Sequence, residues 1–388
     1  MAQPNSRLGT YIKTATAGES VQAFMPPPLP PTPPLDMRPL QKPLENANQA
    51  LGRLDGLASL IPDTNLFLYI YIRKEAVLSS QIEGTQSSLS DILLFENEII
   101  PGVPLHDVEE VSNYVAAMQH GLRRIAEGFP LSLRLIREMH KILLRGGRGA
   151  GKMPGQFRTS QNWIGGTRPG NAIYVPPPPD RLMECLDSFE RFLHYESANL
   201  PLMIQVGMIH AQFETIHPFL DGNGRLGRLL ISLLLCAKSV LREPLLYPSL
   251  YFKVHRAQYY DLLQNVRTRG EWENWLSFFL EGIEVTARQA ADVVTESLHL
   301  FERDRKRIET LGRSAPSALR VHAFIQKKPI ITIGPTAKAL HLSVPTVTNS
   351  LAGLKKLGIA KEVTGNRRNR LFSYSGYLKL ITEGTEPL

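Results

Sequence analysis

The sequence predicts a mainly helical protein: a helical core interrupted by one small β-hairpin, then a basic C-terminal unit of three helices and a hairpin. Three observations carry that expectation. Apolar residues recur at helical spacing through most of the chain from Asp36 to Phe301. Within that span, residues 154–179 are loop-like and hold two short extended pieces, around Trp163-Ile164 and Ala172 to Val175, separated by Gly165-Gly166 and Pro169-Gly170. Between Leu319 and Leu380, eleven Lys and Arg face a single acid, Glu362, in a chain whose formal net charge is only +8. The basic surplus marks that segment, not the whole protein, for a polyanionic partner.

The 388 residues, 43% of them hydrophobic, suffice for two or three domains with real cores. The first two dozen residues are polar and read as loosely ordered. Residues 26–34 hold seven prolines and must be extended; a strap over the domain surface is favoured above a ligand for an SH3-like partner. Helices are expected at 65–78, 107–127, 131–144, 181–197, 202–215, 226–240, 251–268 and 272–301. The charged run from Glu302 to Arg313 then reads as a boundary. Two cysteines, Cys185 and Cys236, are too few for a disulfide framework and lack metal-ligand spacing. With no signal-peptide pattern and no apolar run longer than Leu229 to Ala237, a soluble cytoplasmic protein without membrane contact is expected.

Residues 217–228, His-Pro-Phe-Leu-Asp-Gly-Asn-Gly-Arg-Leu-Gly-Arg, are the most informative stretch. A polar, glycine-rich loop opening an apolar helix sets backbone N–H groups and a positive dipole end against an anion. Pro218 favours an extended backbone at His217 and ends the preceding helix. A histidine there is usually structural, but it lies four residues before Asp221 and eight before Arg225. Phe219 is expected to point into the core and anchor the loop. Asp221 is either a turn residue or N-cap, or a carboxylate that holds Mg²⁺ beside a phosphate. Arg225 and Arg228 share one face of the first helical turn. Cations there oppose the helix dipole, which argues for an anion that offsets them.

The stretch resembles the signature of the Fic family, H-x-F-x-(D/E)-G-N-G-R-x-x-R, and matches it at every defined position. The likeness extends from about residue 30 to 290. Pro154 to Pro177, with Arg158, is similar to the family's flap, whose edge strand docks the target segment. The resemblance implies transfer of AMP from ATP to a hydroxyl of a protein. His217 would then act as general base and Asp221 would hold Mg²⁺. Gly222, Asn223 and Gly224 would cradle the anion, with Leu226 and Gly227 beside them, and Arg225 and Arg228 would neutralise the leaving pyrophosphate. Of the pair Tyr259-Tyr260, one is expected in the core, and Tyr260 is the candidate adenosine contact.

Ser79-Ser80-Gln81-Ile82-Glu83-Gly84 alone would be an ordinary solvated helix end. Beside the Fic signature it resembles the family's inhibitory pattern, (S/T)-x-x-x-E-(G/N), with Ser79 and Glu83 in register. The resemblance implies that Glu83 pairs with Arg228 and takes the place of the ATP γ-phosphate. One other motif is a decoy. Residues 146–152 fit G-x-x-x-x-G-K, but Met153 follows instead of Ser or Thr, and no strand precedes.

In the C-terminal segment, helices at 317–326, 336–340 and 344–357 precede strands at 359–363 and 371–374, joined by a turn with three arginines. That order resembles a winged helix. Read as a binder of duplex DNA, it would set Ser343, Pro345, Thr346, Thr348 and Asn349 in the major groove and Arg367, Arg368 and Arg370 on phosphates. A protein-interaction or dimer module is the competing use. The expected plan is a tail and strap at 1–35, a helical region at 36–110, the Fic core at 111–300 and a winged helix at 314–388. The favoured function is an autoinhibited protein adenylyltransferase, a homodimer suiting both family and winged helix. The rival is a DNA-binding regulator whose Fic core senses nucleotide.

Overall fold

The computed structural model describes residues 7–58, 65–97, 103–146, 149–364 and 370–387. The chain opens on a β-hairpin, β1 (Thr10–Thr16) and β2 (Glu19–Met25), in antiparallel register from Thr10 opposite Met25 to Thr16 opposite Glu19. The expectation of a loosely ordered N-terminus is therefore corrected. Ala17 and Gly18 both take positive φ, the backbone a two-residue hairpin turn requires. Its inner face, Val21 and Ala23, packs on Val175 with Trp163 and Ala172, and the Phe24 N–H donates to the Val175 carbonyl at 2.9 Å. The segment looks polar because its buried partner lies 150 residues downstream.

The proline-rich segment is a strap. Prolines offer no N–H, so side chains meet its carbonyls: Gln212 donates to Pro27 (3.0 Å), and Arg7 to Pro33 (2.8 Å) and Pro34. Beyond it run α1 (Gln41–Ala58), α2 (Asn65–Ile82), α3 (Leu89–Phe95), α4 (Leu105–Ala126), α5 (Leu133–Leu143), α6 (Leu182–Leu193), α7 (Leu202–Ile216) and α8 (Asn223–Ala237). At the centre lie α7, buried from Met203 to Ile216, and α8, buried from Asn223 to Leu235 save Gly224. A helix apolar nearly all round belongs in a core, and the 217–222 loop joins this central pair.

A single helix expected over 251–268 is two, α9 (Ser249–Val254) and α10 (Arg256–Arg269), broken at His255. The break lets Phe252 bury against Trp275 and Phe278 while Tyr259 reaches His210, and no Gly or Pro signals it. Next comes α11 (Trp272–Glu309), 38 residues long and lying along α1. The charged run from Glu302 is thus no linker: the chain enters the C-terminal unit inside a continuous helix. Its charges form i,i+4 pairs such as Arg305–Glu309, while Asp304 is buried, accepting from the Tyr374 hydroxyl at 2.9 Å.

The C-terminal unit holds α12 (Ala315–Lys327), β3 (Ile330–Thr332), α13 (Ile333–Leu340), α14 (Val344–Lys356), β4 (Ala360–Glu362), β5 (Leu371–Tyr374) and α15 (Ser375–Thr382). Its antiparallel sheet has the order β3-β5-β4. The three helices and two strands were expected; β3 and α15 were not. Three residues are too short for a period to emerge, and α15 hides behind the aromatic run that ends β5. The expected flap hairpin is reduced to one bridge, Ile164 with Tyr174, closed by Gly165 and Gly166 at positive φ. A Cβ on Gly166 would lie 2.4 Å from the Asn171 carbonyl oxygen, so glycine is required there. No helix among the described residues is long and apolar enough to cross a membrane.

Candidate active site

The site grows from the end of α7. His217 caps that helix in the left-handed region (φ 49°), its N–H donating to Phe213, and not in the extended conformation that Pro218 suggests. Such a backbone costs about 1–3 kcal/mol and persists only where the surroundings impose it. Arg158, 2% exposed, imposes it here. Its Nε donates to the His217 carbonyl at 2.9 Å, its terminal nitrogen to those of Pro177 (2.5 Å) and Ile216 (3.4 Å), and its N–H to Pro218 (3.0 Å). The imidazole is thereby turned into the site. Burial, reinforced by the charges of Arg267 and Arg158, pushes its pKa down to about 3, so the ring is neutral at neutral pH. Nδ1 is buried with no well-formed hydrogen bond, although the Glu214 carbonyl is near enough to favour the charged ring.

Phe219 is fully buried, as expected of an anchor. It stacks on His140 (ring centroids 3.7 Å apart, planes at 10°), and the Asn223 amide closes the turn beneath it. Asn223 Oδ1 accepts the Phe219 N–H at 2.9 Å and its Nδ2 donates to the Phe219 carbonyl at 2.8 Å, which also receives Asn162 at 3.0 Å. The side chain of Asn223 is thus spent on the loop, leaving its main chain for an anion. His140 accepts the Gly155 N–H on Nδ1 (2.8 Å) and donates from Nε2 to the Asp221 carbonyl (2.9 Å). Those two bonds define a neutral ring, and burial holds its pKa down at about 4.

Asp221 is not the N-cap of α8. Gly222 is, at φ 76°, and no side chain caps the first turn. Asp221 Oδ1 accepts the Gly222 N–H at 2.6 Å and lies 3.5 Å from Arg225, with the side chain 33% exposed. A hard, partly exposed carboxylate at a helix N-terminus suits Mg²⁺, which keeps waters and takes phosphate oxygens as its other ligands. No group of three His, Cys, Asp or Glu gathers as a ready-made metal cage among the described residues.

The two arginines have separate partners. Arg225 is 1% exposed and pairs with Glu110 of α4 at 2.8 Å, itself 2% exposed. Arg228 is fully buried; it donates to Ser79 Oγ (2.9 Å), the Ser79 carbonyl (3.0 Å) and Glu83 Oε1 (2.6 Å). A Cβ on Gly224 would lie 2.3 Å from that same Glu83 oxygen, so the carboxylate rests on the first turn of α8. Burial opposes the Glu83 charge, but Arg228, with Arg225 behind it, holds its pKa below the ordinary carboxylate value.

The structure brings Ser79, Glu83, Gly224 and Arg228 into contact, with His217 close enough to interact with Glu83 and with Asp221 and Gly222 at the same helix terminus beside Arg225. Leu226 and Gly227 turn inward instead: Leu226 is fully buried, and a Cβ on Gly227 would strike Glu214. Tyr259 is the core tyrosine, its hydroxyl on His210 at 2.9 Å. Tyr260 is 40% exposed, and its hydroxyl feels the charges of Glu83 and Arg228. Glu110, His140, Asn162 and Glu214 carry no sequence signal of their own. Glu110 follows another glutamate on an amphipathic helix, a pattern that usually means a solvated face.

In the C-terminal unit, the Thr346 hydroxyl lies 2.7 Å from that of Ser343, which caps α14, and Thr348 bonds back to the Val344 carbonyl. Asn349 is exposed, and Arg370 lies 3.9 Å from Glu362. Arg367 and Arg368 lie outside the described residues.

The buried titrating groups set a pH window for stability. Burial depresses His140 and His322 to about 4, and His210 and His217 to about 3, so the unfolded chain takes up protons below pH 6.5 that the fold refuses. Stability from these groups is complete above pH 6.5 and drains as the pH falls towards 4. Glu75 and Glu214, raised by burial to about 8 and 7, stay protonated in the fold; their contribution is complete below the unfolded value of 4.5 and drains as pH rises. The denaturant midpoint is therefore expected to peak between about pH 6 and 7.5. A midpoint that rises steadily from pH 6.5 to 5 would contradict neutral buried histidines.

Comparison with known proteins agrees with this geometry. Residues 41–123 match the Fic/DOC family N-terminal model and residues 130–235 the Fic/DOC family model. Similar curated proteins include the protein adenylyltransferase Fic of Aedes aegypti, 31% identical over 256 residues (63% of this chain, 47% of that protein). That of Drosophila grimshawi is 28% identical over 208 residues (53% and 40%). The chain thus spans about half, or less, of the length of the curated relatives it matches. Among solved structures, a Fic family protein from Desulfovibrio desulfuricans G20 aligns with TM-score 0.56 at 19% identity, covering 89% of this chain and 98% of that one. A Fic domain containing signaling protein from Bacteroides thetaiotaomicron VPI-5482 aligns with TM-score 0.51 at 18% identity, covering 64% and 95%. At those identities the likeness speaks to fold. Over residues 41–123 and 130–235, which hold the loop that joins α7 to α8 and the helices around it, the chain carries the N-terminal and central regions of the Fic/DOC family.

Proposed function

We propose that the chain is an autoinhibited protein adenylyltransferase, moving AMP from ATP to a Ser, Thr or Tyr hydroxyl of a protein, itself included. One observation carries the reading: Glu83 sits on Arg228 over the first turn of α8, where the family signature receives phosphate. The names of the curated relatives support the reaction. In the active state the uncapped first turn of α8, from Gly222 to Gly224, holds the phosphates, and Arg228 gives up Glu83 for one of them. Arg225, anchored on Glu110, keeps positive charge beside the leaving pyrophosphate. Neutral His217 takes the proton of the attacking hydroxyl. Asp221 would hold Mg²⁺, which would offset phosphate charge when bound. Tyr260 borders the adenosine, and the edge of the flap near Asn162 docks the target. Label from α-labelled ATP on the Glu83→Gly protein supports this reading; ATP binding without labelling rejects it in favour of a nucleotide sensor.

A second role has its own support. The surplus of ten positive charges between Leu319 and Leu380, on a unit with four helices and a three-stranded sheet, favours a winged helix that binds duplex DNA. The full chain is then expected to bind duplex DNA with an affinity that falls steeply with salt. Binding that is absent, or indifferent to salt, removes this role and leaves the unit as a protein-contact module.

A further inference from the structure

Gln81 stands two residues before Glu83, in the last turn of α2, and is 2% exposed. Its Nε2 donates to two carbonyls, Ser87 at 2.9 Å and Thr385 at 2.8 Å, the second 304 residues downstream. Thr385 is equally buried, held in a turn by its N–H and Oγ1 on the Thr382 carbonyl (3.0 and 2.7 Å). Lys253 of α9 clasps the same segment from another helix, donating to the Gly384 carbonyl at 3.3 Å and to that of Glu386. Gly384 takes φ 78° against Leu250. Upstream, Tyr377 of α15 is fully buried with its ring against Phe67 of α2 (6.5 Å) and Phe301 of α11 (4.9 Å). So α2 is held at both its ends by the stretch that follows β5, and adenylyl transfer needs none of these contacts.

We propose that α15 and residues 383–387 form a latch that keeps the last turn of α2 in place, so that the C-terminal unit sets how firmly Glu83 blocks Arg228. The latch rests on the autoinhibited reading above. Any ligand that shifts α15 would weaken inhibition, and by reciprocity nucleotide in the site would loosen the latch.

The test compares the full chain with a form ending at Thr382 and with Lys253→Met, each with Glu83 and with Glu83→Gly. Lys253→Met loosens the segment without touching α2, and remains informative if the shortened form folds poorly. Hydrogen exchange is read at the Glu83, Gly84 and Thr85 amides, which bond to Ser80 and Gln81. Both latch variants are expected to speed it by about tenfold, the factor one lost buried hydrogen bond supplies, with α7 and α8 unaffected. Self-labelling from ATP is expected to rise several-fold with Glu83 present and not at all with Glu83→Gly. Unchanged exchange overturns the latch whatever the activity. Faster exchange with unchanged labelling, where Glu83→Gly itself activates, overturns its link to inhibition. If Glu83→Gly fails to activate, the autoinhibited reading falls instead, and exchange still decides the latch.

Discussion

Glu83→Gly is expected to label itself from α-labelled ATP at least about tenfold faster than the wild type. The figure follows from the contact removed. A hydrogen bond between charged groups contributes about 1.5–3 kcal/mol, and a phosphate must outcompete it to reach Arg228. Each 1.4 kcal/mol is a factor of ten, so the range is about ten- to a hundredfold. The variant also leaves Arg228 buried without the Glu83 carboxylate, so the nucleotide-free protein should lose stability and recover it when ATP binds. Gly84 already takes a positive φ at the next position, so a second glycine extends a turn and leaves α2 intact. Equal labelling by both forms would sink the inhibitory role of Glu83.

Removal of His217 should have the opposite effect of similar or greater size. His217→Ala is expected to lower transfer by about 10²–10⁴-fold, the usual contribution of a positioned base. Because the residue is left-handed, alanine adds backbone strain, and a loss of stability could pass for a loss of chemistry. Asn tolerates that conformation better, so His217→Asn should fold as the wild type does yet remain equally inactive. ATP binding, measured in the Glu83→Gly background, should survive both changes, since α8 and not His217 holds the phosphates. Transfer that persists in His217→Asn would remove the base assignment.

Much of the site was legible because its parts are close in sequence. Residues 217–228 put the loop, the glycines and both arginines in twelve positions, and the structure keeps them at one helix terminus. Glu83 was legible by its spacing from Ser79, although what it touches lies 145 residues away. The rest depends on distant pairing. Nothing near Glu110 says that it meets Arg225, and nothing near His140 says that its two nitrogens join Gly155 to Asp221. The N-terminal hairpin was missed for the same reason, since its inner face is apolar only at alternate positions and meets Val175. The burial of Phe219 was legible because it alternates with the polar positions His217 and Asp221, a local pattern. The left-handed backbone at His217 was not, because Arg158 overrides the preference that Pro218 imposes.

The length of α11 has a consequence of its own. At 1.5 Å per residue, its 38 residues make a rod about 57 Å long, with no Pro or Gly kink after Gly282. An α-helix neither stretches nor compresses appreciably, so a displacement of its far end, where Asp304 meets Tyr374, would reach Trp275 and α7 as a tilt of the rod. Trp275 donates to the Gly207 carbonyl ten residues before His217, which makes that tryptophan the bearing on which such a lever would turn.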